Sequence, residues 1–113
     1  MWLFTNTGFV SAVSNGKDLM VRSRDRESLE AIAETGKTEI IATPDHDYPY
    51  RVIVTHDFFA QWVSHMVMTI AYKNFKSEVA ATRGYEFAHP LTKVWSAMHE
   101  VEDAEARQES LQN

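Results

Sequence analysis

Apolar positions recur with period two over the first third of the chain and with a helical period over most of the rest. Trp2-Leu3-Phe4 and Phe9-Val10-Ser11-Ala12-Val13 read as short strands around the turn residues Thr5-Asn6-Thr7-Gly8. Asn15-Gly16 is a strong hairpin signal and predicts a third strand over Leu19 to Arg24, antiparallel to the second. Asp25 can cap a helix over Arg26 to Glu34, with Leu29, Ile32 and Ala33 inward and Gly36 placed as its C-terminal glycine. Thr38 to Thr43 and Tyr50 to Val54 read as a fourth and fifth strand around the proline-bounded loop Pro44 to Pro49. Thr55 caps the strongest helix, whose apolar face is Phe58, Phe59, Trp62, Val63, Met66, Val67 and Ile70. Asn74 caps a short helix over Phe75 to Thr82, stopped by Gly84. Pro90 suits the first turn of a last helix with the stripe Leu91, Val94, Trp95, Met98 and Val101.

The order β-β-β-α-β-β-α-α-α predicts an α+β fold, a mainly antiparallel sheet with helices packed on one face. At 113 residues the chain is expected to form one domain over 1–103, followed by an acidic, disordered tail over 104–113. With no cysteine, disulfides, thiolate nucleophiles and cysteine metal sites are excluded, and the composition suits a reducing cytoplasm. No stretch is long and apolar enough to suggest a membrane span. Of the net charge of −5, residues 100–113 contribute −4, from five acids and Arg107, which leaves −1 for residues 1–99. A mimic of nucleic acid would spread its carboxylates over the folded body, and nucleic-acid binding is not supported.

Asp45-His46-Asp47 with His56 and Asp57 offers oxygen and imidazole ligands, but the spacing matches no metal motif and such residues are ordinary in a turn. His65, His89 and His99 form no HExxH pair, and no serine sits in a Gly-x-Ser-x-Gly elbow. No phosphate-cradling glycine loop occurs, so neither a catalytic residue nor a metal nor a cofactor is assigned. Strand alternation carries more weight. It turns Leu19, Val21 and Ser23 one way and Met20, Arg22 and Arg24 the other, while Arg51 points opposite to Tyr50, Val52 and Val54. Arg22, Arg24 and Arg51 are then expected on the face that helices leave bare, with Trp2, Phe4 or Tyr48 as candidate neighbours. Guanidinium groups beside aromatics suit an anion or a partner's carboxylates. The plain alternative is a solvated face with each arginine paired to a local acid such as Asp25 or Glu39. Tyr72-Lys73-Asn74-Phe75-Lys76 adds two lysines at a helix junction.

Met1 to Phe4, Gly8 to Val13, Val21-Arg22-Ser23-Arg24, Asp47-Tyr48-Pro49-Tyr50-Arg51, Tyr72 to Val79 and Val94-Trp95 occur in an order that resembles a group of small uncharacterised proteins of bacteria and bacteriophages. The resemblance covers residues 1 to about 102. It implies a cytoplasmic protein of bacterial or phage origin and no particular activity. It picks out Arg22, Arg24, Asp47, Arg51, Asn74 and Lys76. Acids that flank the tyrosine of the Tyr-x-Asn-Phe-Lys block in that group are replaced here by Ala71 and Lys73.

The function expected from these readings is non-enzymatic binding of another macromolecule, a protein such as a host or defence component. The ligand or partner set is Arg22, Arg24, Asp47, Tyr48, Arg51, Asn74 and Lys76. One alternative is a phosphate- or nucleotide-binding domain, enzymatic or not, that uses the Arg/Lys cluster. Another is a homo-oligomeric module paired through its N-terminal edge strand.

Overall fold

The period-two segments become strands of an antiparallel sheet in the computed structural model, which describes residues 1–112. Strands β1 (Trp2–Thr5), β2 (Gly8–Asn15) and β3 (Asp18–Ser23) form a meander, helix α1 (Glu27–Gly36) follows, and β4 (Ile41–Ala42) and β5 (Tyr50–Val54) complete the sheet. Its order is β1-β2-β3-β5-β4, and every neighbouring pair is antiparallel. Helix α2 (His56–Met68) comes next, then α3 (Phe75–Arg83) and α4 (Tyr85–Gln112). The α+β class and the strand pairing expected from the sequence hold.

The turn from β2 to β3 is closed by Gly16 and Lys17, between the paired residues Asn15 and Asp18. Gly16 is the first central residue and has a φ of 77°, a left-handed value open to glycine at no steric cost. The Asn15 amide donates to Asp18 Oδ1 across this turn at 2.9 Å.

Where one domain over 1–103 is expected, the chain divides into two compact units, Met1–Lys73 and Asn74–Asn113. In the first unit the core lies between one sheet face and two helices. Val10, Ala12, Val21, Val52 and Val54 from the sheet meet Leu29, Ile32 and Ala33 of α1 and Phe59 and Trp62 of α2. Val21, Val52, Leu29 and Ile32 have no accessible surface. Thr55 caps α2 as expected, its Oγ1 accepting from the Phe58 N–H at 3.1 Å. The predicted face of α2 is only partly used, since Val67 and Ile70 remain exposed.

Four local readings need correction. Gly36 does not take the left-handed position at the end of α1; Lys37 does, with φ 51° and ψ 42°. Gly36 is needed inside the last turn, because a Cβ there would lie 3.0 Å from the Phe58 ring. The fourth strand shrinks from Thr38–Thr43 to Ile41–Ala42. Its beginning is diverted to close α1, with the Thr38 N–H on the Ala33 carbonyl, and its end is held by the Thr43 N–H on the Pro49 carbonyl. Pro90 lies within α4 rather than in its first turn, because the helix starts at Tyr85 directly after Gly84. Finally, α4 continues to Gln112 through the segment read as a disordered tail. Ala104, Glu105, Ala106, Arg107, Gln108 and Glu109 are strong helix formers with no glycine or proline among them. Asn113 lies outside the described residues.

In the second unit α3 and α4 pack against each other. Asn74 Oδ1 caps α3 by accepting from the Ser77 N–H at 2.9 Å. Val79 and Ala88 are its buried apolar residues, and the stripe expected on the last helix is exposed at Val94, Trp95, Met98 and Val101.

Candidate functional site

Cross-strand register fixes what shares a face with the arginines. Trp2 pairs with Ser11, Ser11 with Arg22, Arg22 with Arg51, and Arg51 with Ile41. Paired residues point to the same side of a sheet, so these five side chains form one row. The neighbouring rows supply Phe4 and Phe9, and Val13, Met20 and Ile53. None of these residues belongs to the core made with α1 and α2. Trp2 and Ile41, at the two ends of the row, are 70% and 46% exposed.

The centre of the site is Tyr48, whose aromatic ring is buried although it comes from the loop before β5. Two guanidinium groups lie over that ring, Arg22 at 4.5 Å and Arg24 at 4.0 Å from its centroid. Arg22 lies in β3 and Arg24 one residue past its end, and this spacing lets both reach one ring. The Tyr48 carbonyl is fixed by a bond from the Thr43 hydroxyl at 3.0 Å. Arg22 donates through Nη2 to Ser11 Oγ at 2.9 Å, which explains how a serine comes to be buried in an otherwise apolar strand. Its Nε is buried with no hydrogen-bond partner. Arg24 donates through Nη1 to the Asp47 carbonyl at 2.5 Å and to Asp47 Oδ1 at 3.0 Å. The hydrogen bond that Arg24 donates to Asp47 holds its guanidinium above its ordinary pKa, with the carboxylate's charge acting in the same direction. Both side chains stay largely in water, at 54% and 77% exposure, so screening leaves this pair little weight in stability.

Arg51 shares the row with Arg22, but its head turns elsewhere. Its Nε donates to Thr43 Oγ1 at 3.2 Å and its Nη1 approaches Met20 Sδ at 3.0 Å. Five of the expected residues therefore lie in one region of the sheet, and four of them, Arg22, Arg24, Asp47 and Tyr48, interact directly. The other two belong to the second unit and have local duties: Asn74 caps α3, and Lys76 places its Nζ 5.1 Å from the centre of the Trp95 ring.

Sequence reasoning left out Ser11 and Thr43, the two hydroxyls that position the arginines and the tyrosine. A serine within an apolar strand opposite an arginine was the available signal for Ser11. Thr43 carried none. Arg24 pairs with Asp47, and Asp25 Oδ1 accepts from Ser28 Oγ at 2.5 Å.

Among the described residues, no three of His, Asp and Glu are gathered closely enough to hold a metal ion. Asp45, His46, Asp47, His56 and Asp57 thus form no such cluster. A shallow groove of about 500 Å³ between α1 and α2 is lined by Phe58, Gln61, Trp62 and His65. No helix among the described residues is long and apolar enough to cross a membrane. Comparison with family models, curated proteins and solved structures finds no match for this chain.

Proposed function

We propose that the chain is a non-enzymatic protein-binding module that docks a partner on the sheet face carrying Trp2, Arg22, Arg24 and Ile41. The observation that carries this reading is the stacking of two arginines on one buried tyrosine, in the same face as an exposed tryptophan. Tyr48 removes much of the rotamer freedom of two long side chains before any partner arrives, which lowers the entropic cost of docking. Tryptophan, tyrosine and arginine are also the residues most often found at the energetic centre of an interface. The resemblance to small bacterial and phage proteins suits a cytoplasmic module whose partner is a host or defence component.

The phosphate-binding alternative is less well supported. An anion site needs guanidinium N–H groups free to converge, whereas Arg24 is already neutralised by Asp47 and Arg51 faces a hydroxyl and a thioether. The test is affinity capture from bacterial lysate with the unmodified chain and with Arg24→Glu. A discrete protein captured by the former and lost with the latter is the expected result. Equal capture by both rules out this face, and a rise in melting temperature with nucleotides would favour the phosphate reading.

A further inference from the structure

The first strand is an unprotected edge. In the β1–β2 ladder, Met1 exchanges backbone bonds with Ala12, at 2.7 and 2.9 Å. Because antiparallel rungs alternate, the hydrogen-bonded rungs are Met1–Ala12, Leu3–Val10 and Thr5–Gly8. The N–H and C=O groups of Trp2 and Phe4 therefore point away from β2, toward the open side of the sheet. Among the described residues no other segment bonds to them. Apart from its short length of four residues, β1 lacks the residue types that usually blunt such an edge: Trp2 to Thr5 contains no lysine, no proline and no charged side chain.

A second, independent feature lies at the same edge. A cavity of about 140 Å³ opens between β1 and the end of α2, lined by Leu3, Thr5, Asn6, Met66, Val67 and Ile70 among others. Its walls are mostly apolar. Close by in sequence or space stand exposed apolar side chains: Met1 at 63%, Trp2 at 70%, Met68 at 80%.

We infer that β1 pairs antiparallel with β1 of a second copy, joining two sheets across a two-fold axis at Leu3. This register is self-complementary. It sets Trp2 opposite the second copy's Phe4, and Phe4 opposite its Trp2, on rungs where each residue offers both backbone groups. Each rung is then an aromatic cross-strand pair. It also brings the second copy's Met1 opposite Thr5, beside the cavity, so that a flexible exposed side chain meets an apolar recess. Although the chain carries a net charge of −5, the paired strands bear no acidic side chain, so like charges do not face each other there. The contact is isologous and closes at two copies. It adds the backbone edge of β1 and shares the Trp2 side chain with the docking face proposed above, whereas Arg22, Arg24 and Ile41 lie outside it.

The test is sedimentation equilibrium of the full chain over a hundredfold range of concentration. The weight-average mass should rise from 13.0 kDa toward twice that value. Trp2→Pro removes the outward N–H and no bond to β2, and should hold the mass at the monomer value with the circular dichroism unchanged. Trp2→Ala keeps the N–H and should weaken the dimer without abolishing it. If Trp2→Pro fails to fold, hydrogen exchange of the unmodified chain decides: the Trp2 and Phe4 amides should slow as concentration rises, while Leu3 stays unchanged. A constant monomer mass overturns the inference, as does a dimer undiminished by Trp2→Pro in a folded protein. Exchange at Trp2 and Phe4 that slows only with an added extended apolar peptide also overturns self-pairing and assigns the edge to a different chain.

Discussion

The two faces of the sheet are built on opposite principles. One face is mostly apolar, with Val21 and Val52 inaccessible beneath α1 and α2. The other carries Arg22 and Arg51 side by side in its central row, flanked by Ser11 and ending in exposed Trp2 and Ile41. The first face holds the unit together through burial, which is non-directional and scales with area. The second is organised by directional contacts from a few polar atoms, and those contacts orient side chains more than they stabilise the fold. The same β3 strand serves both, because each successive residue points to the other side.

Substitutions can break this contrast or sharpen it. Leu29→Ala, beneath the apolar face, should lower unfolding free energy by about 4 kcal/mol in a urea titration, since a fully buried leucine leaves a cavity behind. Tyr48→Ala should cost about 3 kcal/mol, through lost aromatic burial, and should also release both arginines. A loss there as large as at Leu29 would mean that Tyr48 is a core residue of equal standing, and the contrast between the faces would shrink. Thr55→Ala removes one helix cap and should cost about 1 kcal/mol by the same titration. Arg24→Glu should leave the melting temperature unchanged while abolishing partner capture. A clear drop in melting temperature would make that arginine structural and remove it from the docking surface.

Much of this contrast was legible in the residues. Alternation within β3 and β5 placed Arg22 and Arg51 on the face away from Val21 and Val52, because a pleated strand leaves side chains no other choice, while Arg24 lies just past the end of β3. Thr55 and Asn74 were readable as caps, since each carries a short acceptor just before a helical period. The order in which strands neighbour one another was not readable, because β5 enters between β3 and β4 only through tertiary pairing. Nor was the platform under the arginines. Tyr48 lies in a loop with no periodicity, and its position depends on Thr43 and on the turn that binds Thr43 to Pro49. Gly36 misled for a related reason: a glycine at the end of a helix signals a left-handed residue, but here the Phe58 ring claimed the missing Cβ. The length of α4 departs from the expectation because a lack of apolar residues suggests fraying, whereas helix propensity stays high to its end.

The strand order has a kinetic consequence. Strands β1, β2 and β3 are joined by two tight turns, so their pairing closes only short loops. Strand β5 reaches β3 only after residues 24–49 have been gathered, α1 included. The meander is thus placed to form in the folding transition state, and β5 to dock after it. On a chevron plot, Val13→Ala in the meander should slow folding, while Ile53→Ala in β5 should mainly speed unfolding.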